Sequence, residues 1–151
     1  MSIQFLDMRI SSDSVQDIPE VGLSSSSLFP YTFGDIGLQT ANVSPDNVNL
    51  VRVTLNAYAR LQMAPSSNPT ITPNATFTIR RNGTEIFTTV YQKPVNQIDV
   101  TYEMAAITAV DFPPVEEVLA GQIQYTISVF TNYGISLGAR SFSGIAVAGN
   151  T

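Results

Sequence analysis

The sequence predicts an all-β fold, an antiparallel sandwich of about seven to nine short strands, and three observations predict it. From Val51 to Met63 apolar and polar residues alternate almost without a break, the period of a strand with one dry side. Two runs rich in β-branched and aromatic residues flank Asn82-Gly83, the pair best suited to a type I′ hairpin turn, whose central residues need positive φ. Clusters of Gly, Pro, Asn, Asp and Ser then recur between apolar runs, with no convincing helical stripe anywhere. At 151 residues the chain is long enough for one domain burying about 70% of its unfolded surface.

Residues 1–30 read as an N-terminal arm, extended and partly mobile or ordered only against a neighbour, and residues 31–151 as a single sandwich domain. Ile3, Phe5, Met8 and Ile10 are spaced for a short strand within the arm, while SSDS at 11–14, Pro19 and SSSS at 24–27 read as loop. LFPYTFGDIGLQT (28–40) returns as a strand, and ANVSPDNVN (41–49) as a turn. In the following strand the odd-numbered residues from Val51 to Met63 face inward, and Arg52, Thr54, Asn56, Tyr58, Arg60 and Gln62 face out.

The hairpin places Arg81 opposite Thr84, Arg80 opposite Glu85, Ile79 opposite Ile86 and Phe77 opposite Thr88. Its apolar face is then Ala75, Phe77, Ile79, Ile86 and Val90. Phe87 falls on the polar face, which calls for a bulge or a second contact surface there. Over residues 98–111, Ile98, Val100, Tyr102, Met104, Ala106 and Val110 face inward and Asp99, Thr101, Glu103 and Asp111 outward. Ala105, Ile107 and Ala109 are left on the wet side. Phe112-Pro113-Pro114 ends that strand, because proline cannot donate to a ladder. Residues 115–122 read as a short helical turn or an open loop closed by Gly121. In the next strand Ile123, Tyr125, Ile127 and Val129 point inward. The tail reads as one or two strands broken at Gly138 or Gly144.

Composition removes several classes of function. There is no His, Cys or Trp, which excludes Ser-His-Asp and Cys-His catalysis, zinc sites built on His or Cys, and disulfides. No apolar run approaches the roughly 20 residues of a membrane span, and the start, MSIQFLDMRI, lacks the pattern of a cleaved secretory signal. Charged residues are only 13% of the chain, with Lys93 the sole lysine, against a usual share of about 25%. The net charge of −5 resides in residues 1–46, where Asp7, Asp13, Asp17, Glu20, Asp35 and Asp46 oppose only Arg9. Nothing here draws nucleic acid or an anionic membrane.

Three stretches, FTIRRNGTEIF (77–87), VLAGQIQYTI (118–127) and SFSGIAVAG (141–149), resemble in that order the C-terminal part of complement-head and tumour-necrosis-factor-like jelly rolls. VRVTLNAYARLQ (51–62), the arginine-flanked turn before Glu85-Ile86-Phe87 and the closing SFSGIAVAG resemble small jelly-roll proteins of the bacterial spore surface, of the exosporium protein C type. The resemblance covers roughly residues 48–149. It departs in Gln122, where an aspartate usually follows the turn glycine, and in lacking an early Gly-Tyr pair. It implies a jelly roll of about eight strands used as a building block, self-associating often as trimers. It also implies a place at the spore surface, exosporium or another extracellular surface, reached without a signal peptide, with other spore-surface proteins as further partners.

No enzyme, cofactor or metal is expected. Asp99 and Glu103 share a strand face, but nothing nearby encloses them as general acid and base. Asp99, Asp111, Glu116 and Glu117 offer oxygen ligands for calcium without an EF-hand spacing. Lys93 is the only candidate for an isopeptide bond, and the Asn-X-Ser/Thr triplets at Asn42, Asn74 and Asn82 read as turns. Gly34-Asp35-Ile36-Gly37 lacks the remainder of a phosphate loop. The more telling residues are apolar ones expected on wet faces, Tyr58, Phe87, Ile107 and Phe130, which together with Ile3 and Phe5 of the arm form the candidate self-association set.

The expectation is therefore a structural protein that assembles with copies of itself, as a trimer or filament, with the arm adding a strand to a neighbour's sheet. A carbohydrate-binding module with Tyr31, Tyr91 and Tyr133 as stacking platforms is the alternative. A viral or phage coat or fibre subunit uses the same physics elsewhere.

Overall fold

The computed structural model describes residues 3–14, 20–63, 71–93 and 100–150. In chain order it contains β1 (Gln4–Ser14), β2 (Val21–Leu23), β3 (Tyr31–Gln39), a 3-10 turn (Pro45–Leu50), β4 (Val51–Met63), β5 (Asn74–Arg81), β6 (Thr84–Gln92), β7 (Thr101–Asp111), a short helix α1 (Val115–Leu119), β8 (Gln122–Thr131) and β9 (Ile135–Ala148). One sheet runs β1-β9-β4-β7, with β2 also pairing β9, and the other β3-β8-β5-β6. All pairings are antiparallel. The chain crosses repeatedly between the sheets, so that first and last strands lie side by side in a jelly-roll order.

The alternation of β4 is realised in full, with each odd-numbered residue from Val51 to Met63 buried and the even-numbered ones facing out. β8 keeps its expected phase, burying Ile123, Tyr125, Ile127 and Val129. Between the sheets these side chains meet Ile36, Leu38, Phe77, Ile79 and Phe142. The sheets approach closely at Gly144, where a Cβ would sit 2.7 Å from Ile36 Cδ1 and 3.0 Å from Leu55 Cδ2. The tail does not break at Gly138 or Gly144. It is one strand, β9, which takes up an extra residue between Leu137 and Arg140.

The Asn82-Gly83 turn forms with φ of 45° and 85°, as its type requires. The hairpin register holds for Arg81↔Thr84 and Arg80↔Glu85 and then slips: Ile79 pairs with Phe87 and Phe77 with Thr89. Ile86 is the extra residue of a bulge, which turns Phe87 toward the core and Val90 out to solvent. The expected pairing of Ile79 with Ile86 and the inward placing of Val90 are thereby corrected.

Two larger corrections follow. Residues 1–30 do not behave as a separate arm where they are described: β1 is the outer strand of the first sheet, paired with β9 of its own chain from Gln4↔Ala148 to Ser14↔Arg140. The loop between β2 and β3 is exposed, with Leu28 and Phe29 at its surface. The second correction is the phase of β7. Ala105, Ile107, Ala109 and Asp111 point inward, and Val100, Tyr102, Met104 and Val110 are exposed. Ile98 and Asp99 lie outside the described residues.

The reason for that inversion is electrostatic. Asp111 accepts from Arg81 Nη1 on both oxygens (2.7 and 3.0 Å) and from the Tyr125 hydroxyl at 2.7 Å. A period of two then carries Ala109, Ile107 and Ala105 inward with it. Glu117 of α1 completes the group, accepting from Arg81 Nε at 2.9 Å and from Asn82 Nδ2 at 2.7 Å. Burial works against the Arg81 charge, but Asp111 and then Glu117 outweigh it and hold the guanidinium above its usual pKa. Burial, with Asp111 beside it, pushes the Tyr125 hydroxyl far up. This cluster ties β5, β7, β8 and α1 together at one end of the sandwich.

Candidate self-association surface

The outward face of the first sheet is the most unusual surface of the molecule. Reading across the strands by register, one row holds Phe5, Val147 and Arg52; the next Met8, Ile145, Thr54 and Val110; then Ile10, Ser143, Asn56 and Thr108; then Ser141, Tyr58 and Ala106. Beyond them Arg60 faces Met104, and Gln62 faces Tyr102. Phe5, Ile10, Met104 and Val110 are 63, 69, 72 and 58% exposed. No carboxylate projects from these positions. Of the two arginines, Arg60 pairs with Glu20 at 3.5 Å and lies over the Tyr102 ring at 4.8 Å.

The opposite face differs. There Glu85, Arg80, Thr126 and Asp35 form one row and Thr88, Thr78 and Ser128 another, while Val90, Thr76 and Phe130 form a small apolar strip. The chain thus has one polar side and one side that is charge-poor and apolar. At about 4.8 Å between strands and 3.3 Å per residue, four strands of eleven residues present roughly 700 Å². That is near the roughly 800 Å² each partner gives to a standard protein interface. Within this face the exposed apolar side chains are interspersed with Thr54, Asn56, Thr108, Ser141 and Ser143, so the apolar part is smaller than the whole face.

The six residues expected to drive association divide on this map. Phe5 and Tyr58 belong to the apolar face, and Ile3 is exposed just before β1. Phe130 is exposed on the other side of the molecule. Phe87 is half-buried against the core, and Ile107 lies within it, so the expected wet placing of both is corrected. Met8, Ile10, Ile145, Tyr102, Met104 and Val110 are the face residues that sequence reasoning did not select. For the last three the signal was present, but it was read with the strand's phase inverted.

The strand carrying Phe5, Met8 and Ile10 is fastened by polar contacts along its other side. Gln4 Nε2 donates to the Asn42 carbonyl at 2.7 Å, and its Oε1 accepts from Ser44 N at 3.0 Å. Asp7 accepts from Gln39 N at 2.9 Å, and Ser11 Oγ from Asp35 N at 3.2 Å. Asp13 accepts from the Tyr31 hydroxyl and from Arg140 Nε at 2.6 Å. The Tyr31 contact, reinforced by Arg140 against the cost of burial, holds the Asp13 carboxyl below its usual range. For Asp7 burial acts upward, but the Gln39 and Arg9 contacts prevail and the net shift is downward.

A depressed carboxylate pKa stabilises the fold above its unfolded value near 3.8, and that contribution is lost as pH falls through the folded value. Acid below about pH 4 is therefore expected to loosen β1 before β4 or β8. Amide exchange compared at pH 5.5 and pH 3 reads this directly. Equal protection of β1 and β4 at both pH values would contradict it.

Of the three tyrosines expected as sugar platforms, Tyr31 and Tyr91 are otherwise engaged. Tyr31 packs against the core with Arg140 5.9 Å from its ring, and Tyr91 packs against the core with Glu103 bound to its hydroxyl. Burial, then Glu103, pushes the Tyr91 hydroxyl up to about 12. Of the possible calcium ligands, Asp111 and Glu117 are taken by Arg81, and Asp99 lies outside the described residues. Among the described residues no group of three or more acidic side chains gathers to hold a metal ion.

No protein-family model matches the sequence, and no curated protein matches it. Among solved structures, the chain is similar to the infectious bursal disease virus chain of the T13 viral particle, with a TM-score of 0.51 at 7% identity, over 94% of this chain and 34% of that one. It is similar to the chain of the Gx strain of that virus, with a TM-score of 0.51 at 11% identity, over 94% and 37%. The fold is a jelly roll. This chain spans only about a third of the viral chains' length, and at such identity the likeness concerns the fold. Eiger TNF from S. frugiperda overlays on 98% of this chain and 94% of its own, at 11% identity and a TM-score of 0.49.

Proposed function

We propose that this jelly roll is a non-enzymatic structural module that assembles with copies of itself through the outward face of the β1-β9-β4-β7 sheet, building a layer or filament at a spore or other surface. The observation that carries the reading is the exposed, carboxylate-free row Met8–Ile145–Thr54–Val110 with Phe5 and Ile10 beside it. Burying such a surface contributes about 25 cal/mol per Å² of apolar area before the costs of association. The sparse charge of the chain adds little repulsion between copies. The spore location comes from the short motifs that resemble exosporium jelly rolls. One viral neighbour is a chain of a viral particle, and a coat subunit would use the same face.

The test is a pair of charges placed on that face. Ile10→Lys with Ile145→Lys should keep the β-sheet circular dichroism of the parent and abolish its large assemblies in negative-stain micrographs. Lattices or filaments that persist in the double variant would remove this face from the account.

A further inference from the structure

The edges of the two sheets are not guarded alike. β1, β3 and β6 each carry an extra residue, Leu6, Phe33 and Ile86, that interrupts the pairing register and bends the strand. β1 is further closed by its hydrogen bonds to β3. β7 has no bulge, though it is tied to β6 by the Tyr91 hydroxyl on Glu103. It pairs with β4 residue for residue from Met63↔Thr101 to Val53↔Asp111 without a shift. From Met104 to Val110 it reads MAAITAV, with no charge, proline or glycine. Among the described residues no strand pairs with its other side. A long, flat, uncharged edge presents a row of backbone donors and acceptors that another strand satisfies best, and proteins normally blunt such edges.

We infer that β7 pairs antiparallel with β7 of a second copy about a two-fold axis, joining the two β1-β9-β4-β7 sheets into one continuous sheet. This rests on the self-association reading and names one of its contacts. The charges on the strand select the register. Centring the axis on Ala106 sets Tyr102 opposite Val110 and Met104 opposite Thr108 on the outward side, continuing the apolar rows across the junction. Glu103 then faces Ala109, and Asp111 faces Thr101. A shift to Ile107 would set Glu103 against Asp111, two carboxylates directly opposite, which is unfavourable. A self-pairing strand of this kind is isologous and closes at two copies, leaving the apolar faces of both free for larger assembly.

The chain has no cysteine, so single-cysteine variants report on the contact without background. At Ala106 the two side chains stand directly opposite, about 5 Å apart at Cβ. Ala106→Cys treated with an oxidant or a short bismaleimide should give a covalent dimer, while Thr32→Cys, on the other sheet, should remain a single chain. Ala106→Lys, placing like charges opposite each other at an exposed position, should abolish the dimer in light scattering. The Ile10→Lys, Ile145→Lys variant should retain it. If Ala106→Cys fails to cross-link in a preparation that scattering shows to be associated, the edge contact is wrong and self-association through the face stands. Equal cross-linking of Thr32→Cys overturns the contact as well. A parent protein that is monomeric at every concentration overturns both readings. Should Ala106→Lys prove unfolded, the cross-link at Ala106→Cys decides alone.

Discussion

Arg81→Ala is expected to cost about 3–5 kcal/mol of folding stability, because it removes the cation from a buried cluster and leaves its anions in place. Only 14% of the Arg81 side chain and 9% of that of Asp111 is exposed. Without Arg81, Asp111 keeps the Tyr125 hydroxyl as a donor but loses both guanidinium contacts, and Glu117 retains only Asn82. Set against a total near 5–15 kcal/mol, the change should lower the melting midpoint by roughly 6–20 °C. The cost is that of stranding a charge rather than the worth of the ion pair. Replacing the set together, with Arg81→Met, Asp111→Leu and Tyr125→Phe, should therefore recover much of the loss. Urea titration of the single and triple variants reads both. A loss below about 1 kcal/mol for Arg81→Ala would show that the cluster is hydrated and does not fix the phase of β7.

Phe77→Ala should cost a similar amount, about 3–5 kcal/mol, by a different route. Phe77 is buried between the sheets and meets Phe33 edge-on, with ring centroids 6.1 Å apart and planes at 90°. Truncation removes the transfer energy of the ring, opens a cavity between stiff strands and loses the aromatic pair. Phe130→Ala, one residue type on the neighbouring strand but facing solvent, should stay within about 0.5 kcal/mol. Denaturant midpoints of the two variants test the assignment of faces on β5 and β8. Equal losses would mean that Phe130 is covered in the folded protein.

Where one face of a strand is plainly wet, its residues were readable. Val51–Met63 alternates so regularly that only one phase buries its aliphatic residues, and Asn82-Gly83 names its own turn. β7 was not readable in this way, since Tyr102, Met104 and Val110 on one side compete with Ala105, Ile107 and Ala109 on the other. The choice is made by Arg81, thirty residues from Asp111 along the chain. The bulge at Ile86 was signalled by Phe87 falling out of pattern, though not which residue would be extra. β1 was obscured because its serines and aspartates read as loop. Their partners, Gln39, Asp35, Tyr31 and Arg140, are brought to them only by the closed sandwich. Of the association surface, Phe5 and Tyr58 were legible as apolar residues out of place. The remainder depended on the phase of β7 and the attachment of β1.

The account stands on the outward face of one sheet acting as a contact between copies. Multi-angle light scattering of the parent chain over a concentration series measures this most directly. The mass should rise with concentration well above the 16.3 kDa of one chain and fall to no more than that of the edge-paired dimer in the Ile10→Lys, Ile145→Lys variant. A constant single-chain mass up to millimolar concentration would contradict it.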